Sequence, residues 1–237
     1  MTHQKQKRDV RLGDYDQVGL YLILKDSTRL VLTREGIEKL ATEYWVNPDK
    51  IPPGVKEVAE FQRCPFCPLK GKEDFCDALR PVLPLLDVVD NYVSFDKVLA
   101  IYKPEDKQLV HISDTSMQEG LRYVATLSLM DYCQVGRKYR RYYFGIIPII
   151  GFVEFANRLY LNIYWIHGGN RESTEKAISD FNEQITITTQ NQVARLRLIC
   201  KNDAFINAFV NAQSIPALLH RRKDTYLQES FNRFQKT

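Results

Sequence analysis

Apolar and polar positions alternate in short runs through the first half of the chain. Residues 19–25 and 28–33 are rich in strand-forming side chains, and the Asp-Ser pair at 26–27 has the composition of a turn. A second pair of such runs covers residues 93–102 and 108–112. The pattern therefore predicts a β-hairpin and a second strand pair, which together make a small antiparallel sheet. Thr33, at the end of the hairpin, is a candidate cap of a short helix that follows.

Helical spacing of the apolar residues replaces this alternation in the second half. Ser116 and Glu119 form a capping-box pattern at the start of one predicted helix, and residues 152–165 predict another. Helical spacing returns over residues 177–209, except that the β-branched run 185–189 is compatible with either helix or strand. Pro216 is expected to break the helical run before a final helix. The predicted fold class is α+β, with a small antiparallel sheet from the N-terminal half and a C-terminal helical bundle.

The domain organisation follows from the same pattern. Residues 1–16 are polar and basic, which is typical of a flexible tail. Residues 17–237 are expected to form a single α+β domain, in which residues 17–113 hold the sheet and a cysteine segment, while residues 114–237 are mainly helical.

Composition limits the class of protein. Hydrophobic residues make up 44% and charged residues 26% of the 237 positions, which excludes a disordered chain because a core can form. The formal net charge of +4 is too low to indicate nucleic-acid binding by itself. The most apolar stretch, residues 144–153, is too short to span a bilayer, and no secretory signal opens the sequence. We therefore expect a cytoplasmic protein without a membrane span, whose cysteines are thiols or metal ligands rather than disulfides.

Cysteine spacing gives the strongest chemical signal in the sequence. Cys64 and Cys67 are separated by two residues, so that both sulfur atoms can reach one metal ion, and flanking prolines stiffen this turn. Cys76 lies at the start of a helix predicted over residues 75–92, where the helix N-terminus favours the metal-binding thiolate. Cys133, at the end of a later predicted helix, is the candidate fourth ligand of a tetrahedral zinc site.

The same cysteines are compatible with three roles besides a zinc site. Cys64 and Cys67 could act as a redox dithiol, although the buried strand and following helix of thioredoxin-like proteins are missing around them. An iron–sulfur cluster is the alternative to zinc, and reduced thiols packed in a core are the simplest role. His111 is a reserve fourth ligand, and Cys200 lies in an apolar helical run that predicts ordinary core packing.

The cysteine segment also resembles a known family. Residues 64–69 read Cys-Pro-Phe-Cys-Pro-Leu and are followed by Cys76-x-Ala78, which is similar to an uncharacterised bacterial family, a domain of unknown function. In that family a β-hairpin and a tryptophan-containing segment precede a Cys-x-x-Cys-Pro-Leu motif. The similarity extends over about residues 20–215 through further short motifs, which are Ser94-Phe-Asp-Lys-Val98, Ser116-x-Gln118-x-Gly120-Leu121, Cys133 and Asp203-Ala204…Asn207-Ala208. Around Cys133 the family tends to have Ser-Gly-Cys-Pro, whereas this chain has Asp-Tyr-Cys-Gln. The resemblance implies that the four cysteines act as one set, and it implies no activity.

A basic and aromatic segment covers residues 137–143. Its four cations and its two final tyrosines are Arg137, Lys138, Arg140, Arg141, Tyr142 and Tyr143. Cations next to aromatic rings that can stack suit single-stranded nucleic acid or an anionic ligand. The alternative is an exposed loop whose tyrosines lie at the edge of the core. Nucleic acid is not the favoured partner, because no known binding motif surrounds the segment.

Polar residues interrupt the apolar faces of the predicted helices. If these helix faces converge, their polar side chains line a common pocket. Otherwise the charged side chains form ion pairs between or along helices. Glu154 and Arg158, for example, are four residues apart and can pair on one face. The candidate pocket residues are Gln118, Glu154, Arg158, Arg195, Asp203 and Asn207.

Enzyme motifs are missing from the sequence. It contains no Gly-x-Ser-x-Gly, Walker loop, Gly-x-Gly-x-x-Gly or His-Glu-x-x-His pattern, so no catalytic residue is predicted. The sequence therefore favours a binding or regulatory protein with a structural zinc site and an unknown protein or small-molecule partner. A redox or iron–sulfur protein is the first alternative, and a weak nucleic-acid-binding protein is the second.

Overall fold

The structure is a computed structural model that describes Tyr15 and residues 17–46, 63–68, 76–105 and 110–223, with single residues at 225, 228, 232 and 235. The predicted tail at residues 1–16 lies outside the described residues except for Tyr15. Leu69 of the cysteine motif also lies outside them, as does most of the part of the predicted final helix that follows residue 223.

Strand-forming runs in the N-terminal half build one antiparallel sheet. Its strands are β1 (Gly19–Ile23), β2 (Arg29–Thr33), β3 (Lys97–Lys103) and β4 (His111–Ser116), in the order β2-β1-β3-β4. β1 and β2 are the predicted hairpin, and β3 and β4 are the second predicted pair. β4 extends to Ser116, beyond the predicted end of that strand at residue 112.

The two faces of the sheet carry different apolar clusters, because successive side chains of a strand point to opposite sides. The face turned to the helices carries Leu20, Leu22, Leu32, Val98 and Ala100. The opposite face carries Tyr21, Leu99 and Ile101, and Tyr15 packs its ring edge-on against Tyr21 at 4.9 Å between centroids. Tyr15 is therefore part of a buried cluster, although the sequence placed it in the flexible tail.

Helices dominate the second half, which confirms the predicted α+β fold class. The α-helices of the described residues are α1 (Arg34–Trp45) and α2 (Leu86–Val89) in the first half, and α3 (Met117–Leu127), α4 (Phe152–Ile166), α5 (Arg171–Ile199) and α6 (Ala204–Arg222) in the second. Between them lie 3-10 segments at Asp77–Leu79, Leu83–Leu85 and Gly136–Tyr143 and a π turn at Ser128–Tyr132. α6 packs against both α3 and α5. None of the described helices combines the length and the apolar character that crossing a membrane requires.

Local capping signals start the helices where the sequence predicts. The Thr33 hydroxyl oxygen accepts a hydrogen bond from the Gly36 backbone N–H at 2.9 Å and begins α1. At the start of α3, the Ser116 hydroxyl oxygen accepts from the Glu119 N–H at 3.4 Å, and the Glu119 carboxylate accepts from the Ser116 N–H at 3.3 Å. This is the predicted capping box, which satisfies two backbone donors at the helix end.

Three helix boundaries differ from prediction. Pro216 lies inside α6 instead of ending a helix, because Ile215 and Leu219 on either side are fully buried against the core. This packing outweighs the cost of a proline in a helix, which is about 3 kcal/mol. The predicted helix over residues 75–92 is replaced by two 3-10 turns and the short α2, since Pro81 and Pro84 interrupt it. The run over 177–209 divides between α5 and α6 after Cys200.

Gly136 permits a close crossing of two backbone segments. A Cβ atom on this residue would lie 1.8 Å from the carbonyl oxygen of Leu129 in the π turn. We expect Gly136→Ala to lower the free energy of unfolding by about 3 kcal/mol, because the backbone must move to relieve the overlap. Gly151→Ala is the control, since a Cβ there meets no atom within 4 Å, and its effect should stay below about 1 kcal/mol. Denaturant unfolding measures both, and equal effects would contradict the prediction.

Candidate functional site

Four cysteines from three segments of the chain line one cavity, here called the cysteine cavity. These residues are Cys64, Cys67, Cys76 and Cys133, and the cavity has a volume of about 20 Å³. A volume of this size holds about one water-sized particle. The structure thus brings together the four cysteines that the sequence treats as one set.

The Cys64–Cys67 pair forms a turn at one side of the cavity. The Cys67 backbone N–H donates to the Cys64 carbonyl oxygen at 3.1 Å, which closes the turn. Cys64 is buried, whereas Cys67 is half-buried. The turn therefore presents two neighbouring sulfur atoms to the cavity, as the Cys-x-x-Cys spacing predicts.

Cys76 and Cys133 lie at the ends of short helical segments that are tied together. Cys76 directly precedes the Asp77–Leu79 turn, and Cys133 directly follows the π turn, with its N–H bonded to the Ser128 carbonyl at 2.9 Å. The buried Ser128 hydroxyl donates to the Ala78 carbonyl at 2.5 Å. This bond fixes the two cysteine segments relative to each other, and a single π turn of this kind is frequent at functional sites.

One face of α5 supplies hydrogen-bond donors to the sulfur atoms. The Asn191 side-chain amide donates to Cys64 Sγ at 3.4 Å, and the Gln192 amide donates to Cys76 Sγ at 3.3 Å. The Arg195 guanidinium donates to Cys76 Sγ at 3.5 Å, and both Gln192 and Arg195 are fully buried. These contacts give the buried side chains of Gln192 and Arg195 a hydrogen-bond acceptor, which buried polar groups require.

Burial opposes ionisation of Cys133. It raises the pKa of the Cys133 thiol to about 12, and the neighbouring Cys76 and Cys64 act in the same direction. The backbone N–H groups of Gly136 and Val135 donate to the sulfur and lower the pKa, but less strongly than burial raises it. Cys133 is therefore a neutral thiol at neutral pH unless a cation binds beside it.

The thiols as they stand do not form a closed metal site. Within the described ranges, no three His, Cys, Asp or Glu side chains are grouped so as to hold an ion. All five cysteines are free thiols. Ligation by the cavity therefore requires the sulfur atoms to draw closer together around the ion.

Two residues considered with the cysteines lie elsewhere. His111, the reserve ligand, is on β4 with its ring 6.5 Å from that of Tyr102, and it lines a separate groove. Cys200 follows the end of α5 and packs against the main core, where burial raises the pKa of its thiol to about 12. His111 is thus wrong as a reserve ligand, whereas Cys200 has the core packing that its sequence context predicts.

The six candidate pocket residues do not converge on one pocket. Glu154 and Arg158 form the predicted pair along α4, at 3.0 Å and largely exposed. Arg195 lies at the cysteine cavity instead. The remaining candidates, Gln118, Asp203 and Asn207, belong to a hydrogen-bonded group around Ser94.

Asp203 connects two motifs on which the family resemblance rests. Its carboxylate accepts from the Ser94 N–H at 2.8 Å and from the Ser94 hydroxyl at 2.9 Å, across 109 residues of sequence. The Asn207 amide donates to the same carboxylate at 2.8 Å, and the Gln118 N–H donates to the Ser94 carbonyl at 3.0 Å. These contacts fix the starts of α3 and α6 against the segment before β3, so they are structural.

The basic and aromatic segment forms a 3-10 helix, Gly136–Tyr143, rather than a loop. Its four cations, Arg137, Lys138, Arg140 and Arg141, are exposed as expected. Tyr142 is buried with its ring 5.4 Å from that of Phe181, so it is not available for stacking on bases. Tyr143 is half-buried, packs 6.0 Å from Phe155 and lines the same groove as His111. The predicted stacking role therefore does not fit Tyr142 and stays a prediction for Tyr143.

Several residues at the cysteine cavity are not among the predicted candidates. Arg63 and Gln192 line it together with Asp77, Ala78, Gln134 and Val135, and Asn191 donates to Cys64 from α5. Gln192 carried a readable signal, because it occupies the apolar stripe of α5 between Ile185 and Leu196, where a polar side chain needs a partner. That its partner is Cys76, 116 residues earlier, depends on the tertiary fold.

The chain is an α+β protein in which four cysteines line one cavity beside the long helix α5. Residues 38–235 match the family described as Domain of unknown function (DUF6901), and the chain belongs to that family. This confirms the predicted membership of an uncharacterised family, and it does not test the Cys-x-x-Cys-Pro-Leu motif. No curated protein and no solved structure matches the chain.

Arg195 offers a test of the contact between α5 and the cysteines. We expect Arg195→Met to lower the free energy of unfolding by about 2 kcal/mol, because its buried partners, Cys76 Sγ among them, lose a hydrogen-bond donor. Arg197→Met on the exposed side of the same helix should change it by less than about 0.5 kcal/mol. Urea unfolding of both variants gives the comparison, and a small effect at Arg195 would show that this contact does not stabilise the fold.

Proposed function

We propose that the chain is a binding or regulatory protein whose fold is stabilised by one zinc ion bound to Cys64, Cys67, Cys76 and Cys133. The observation that carries this proposal is that all four cysteines line one cavity. Four cysteine ligands are a common set for structural zinc, which they bind as thiolates in tetrahedral geometry. Zinc binding requires the four sulfur atoms to lie at the Zn–S bond length of about 2.3 Å from one ion.

The surroundings of the cavity support an anionic centre. Four thiolates around one divalent ion carry a net negative charge, and the Arg195 guanidinium and the Asn191 and Gln192 amides donate to two of the sulfur atoms. Such contacts beyond the ligands orient the sulfur atoms and stabilise their charge. Arg63 and Asp77 also line the cavity, and the Asp77 carboxylate is paired with Arg80 at 2.8 Å.

The ion would act by cross-linking three segments that have little regular structure of their own. The Cys64–Cys67 turn, the Asp77–Leu79 turn and the end of the π turn would be joined against α5. Binding to such a site contributes directly to the free energy of folding. Thiolate ligands persist in a reducing compartment, so the proposal includes a cytoplasmic location. The protein then acts through a protein or small-molecule partner bound elsewhere on its surface.

A redox dithiol is the second candidate, and the Cys64–Cys67 turn favours it. The turn places the two sulfur atoms side by side at a cavity that also contains a cation. Visible absorbance separates the iron–sulfur version from zinc, and a reducible Cys64–Cys67 bond in metal-free protein identifies the dithiol.

Cysteine substitutions test the zinc proposal. We expect the purified protein to contain about one zinc per chain and Cys67→Ser to lower the melting temperature by about 10 °C, because a ligand of a folding-linked metal is lost. A chelator should do the same to the wild-type protein. Cys200→Ser is the matched control, with a shift below about 3 °C and full zinc content.

The proposal would be contradicted by wild-type protein that contains no zinc after purification and whose melting temperature a chelator does not change. If that protein melts at the same temperature with and without chelator, these cysteines are ordinary core thiols.

Proton release tests whether Cys133 is a ligand. Burial keeps its thiol protonated at neutral pH, so zinc must displace that proton, and the apparent zinc affinity should rise with pH. Calorimetric titration of metal-free protein in buffers of different ionisation enthalpy counts the released protons. We expect Cys133→Ser to release about one proton fewer than wild type and Cys200→Ser to release the same number. An unchanged count in Cys133→Ser would remove it from the ligand set.

A further inference from the structure

A second and much larger groove lies on another part of the molecule. It has a volume of about 1640 Å³ and is lined by residues of α1, β3, α3, α4 and the segment that follows the π turn. None of the four cavity cysteines lines it. What it binds is therefore a question separate from the metal site.

Arg122 on α3 places a buried positive charge in the wall of this groove. Its side chain is only 5% exposed, and its guanidinium lies 5.1 Å from the centre of the Phe155 ring. One nitrogen, Nη2, donates to the carbonyl oxygens of Pro148 at 2.8 Å and Ile150 at 3.2 Å. Within the described residues, its Nε has no hydrogen-bond partner and no carboxylate lies within 4 Å of the guanidinium.

Two carboxylates that could compensate Arg122 are engaged in other contacts, and Glu35, Glu38 and Glu105 also line the groove. Glu119 favours the charged form of Arg122 electrostatically, but its carboxylate accepts hydrogen bonds from Thr115 and Ser116. Asp131, which also lines the groove, is paired with Arg34 at 2.6 Å and with Arg140 at 2.8 Å. A buried cation is costly without a compensating anion. Arg122 therefore has the capacity to pair with an anionic group supplied from outside.

Apolar side chains continue the groove toward solvent. Phe144 is 81% exposed and Trp165 is 69% exposed, and both line the groove together with Ile166. Arg141, which is also exposed, lines the same groove, as do Arg34, Arg140 and Arg158, which are paired with carboxylates. Exposed aromatic and aliphatic side chains that border a cavity are typical of ligand-binding surfaces.

We propose that this groove binds a small organic anion that has a carboxylate group and an apolar body. The carboxylate pairs with Arg122, since a guanidinium binds a carboxylate with charge-assisted hydrogen bonds, and Arg141 adds positive charge to the groove. The apolar body covers Phe144, Trp165 and Ile166. This assigns a ligand class to the groove and does not depend on the zinc proposal, because the two sites share no residue.

Octanoate and octan-1-ol are suitable test ligands because they share an apolar chain and differ in charge. By isothermal titration calorimetry, we expect octanoate to bind about tenfold more tightly than octan-1-ol, which is the effect of a hydrogen bond to a charged group. Arg141→Ala should weaken octanoate binding about threefold, as expected for an exposed charge. Arg137→Ala is the matched control, because Arg137 is exposed on the same 3-10 helix and does not line the groove.

Arg122→Met tests the buried charge itself while keeping the length of the side chain. We expect this variant to bind octanoate and octan-1-ol equally, whereas a purely structural role of Arg122 would alter the melting temperature and leave the preference for octanoate intact. If Arg122→Met does not fold, the comparison of Arg141→Ala with Arg137→Ala decides.

Three results would overturn the proposal. The first is equal binding of octanoate and octan-1-ol by the wild-type protein, and the second is an equal loss of octanoate binding in the Arg141 and Arg137 variants. The third is the absence of octanoate binding together with self-association that Trp165→Ala abolishes, since the groove would then be an interface between two copies of the chain.

Discussion

The structure depends on one constraint: three separate cysteine segments must meet a single face of α5. Asn191, Gln192 and Arg195 supply that face with N–H donors, and two of these side chains are fully buried. Polar side chains are stable there only if they are hydrogen-bonded, and Cys64 and Cys76 are partners for them. The position of α5 and the position of the thiols are therefore mutually dependent.

Several features elsewhere in the chain position the cysteine segments at the cavity. The π turn at Ser128–Tyr132 directs Cys133 to the cavity, Gly136 allows the chain to cross Leu129 closely, and the Ser128 hydroxyl holds the Cys76 segment in place. At a distance from the cavity, Asp203 joins the starts of α3 and α6 through Ser94. The sheet and the helices are thus positioned by buried polar contacts as well as by their apolar faces.

Local signals predicted local structure, and contacts between distant segments escaped prediction. The hairpin and the caps at Thr33 and Ser116 depend on neighbouring residues, so the sequence identifies them. Pro216 misled the prediction because packing of α6 outweighs the local preference of proline. Cysteine spacing pointed to the four thiols that line the cavity, yet it contained no information on their partners from α5, which lie more than 110 residues away. The same limit applies to Tyr142, whose ring packs 5.4 Å from that of Phe181, a residue distant in sequence.

The central claim is that Cys64, Cys67, Cys76 and Cys133 bind one zinc ion. X-ray absorption at the zinc edge of the full-length purified protein tests it most directly, because the spectrum reports both the type and the distance of the ligand atoms. The account predicts four sulfur atoms at about 2.3 Å. A first shell of nitrogen or oxygen atoms, or protein that retains no zinc after purification under reducing conditions, would contradict it.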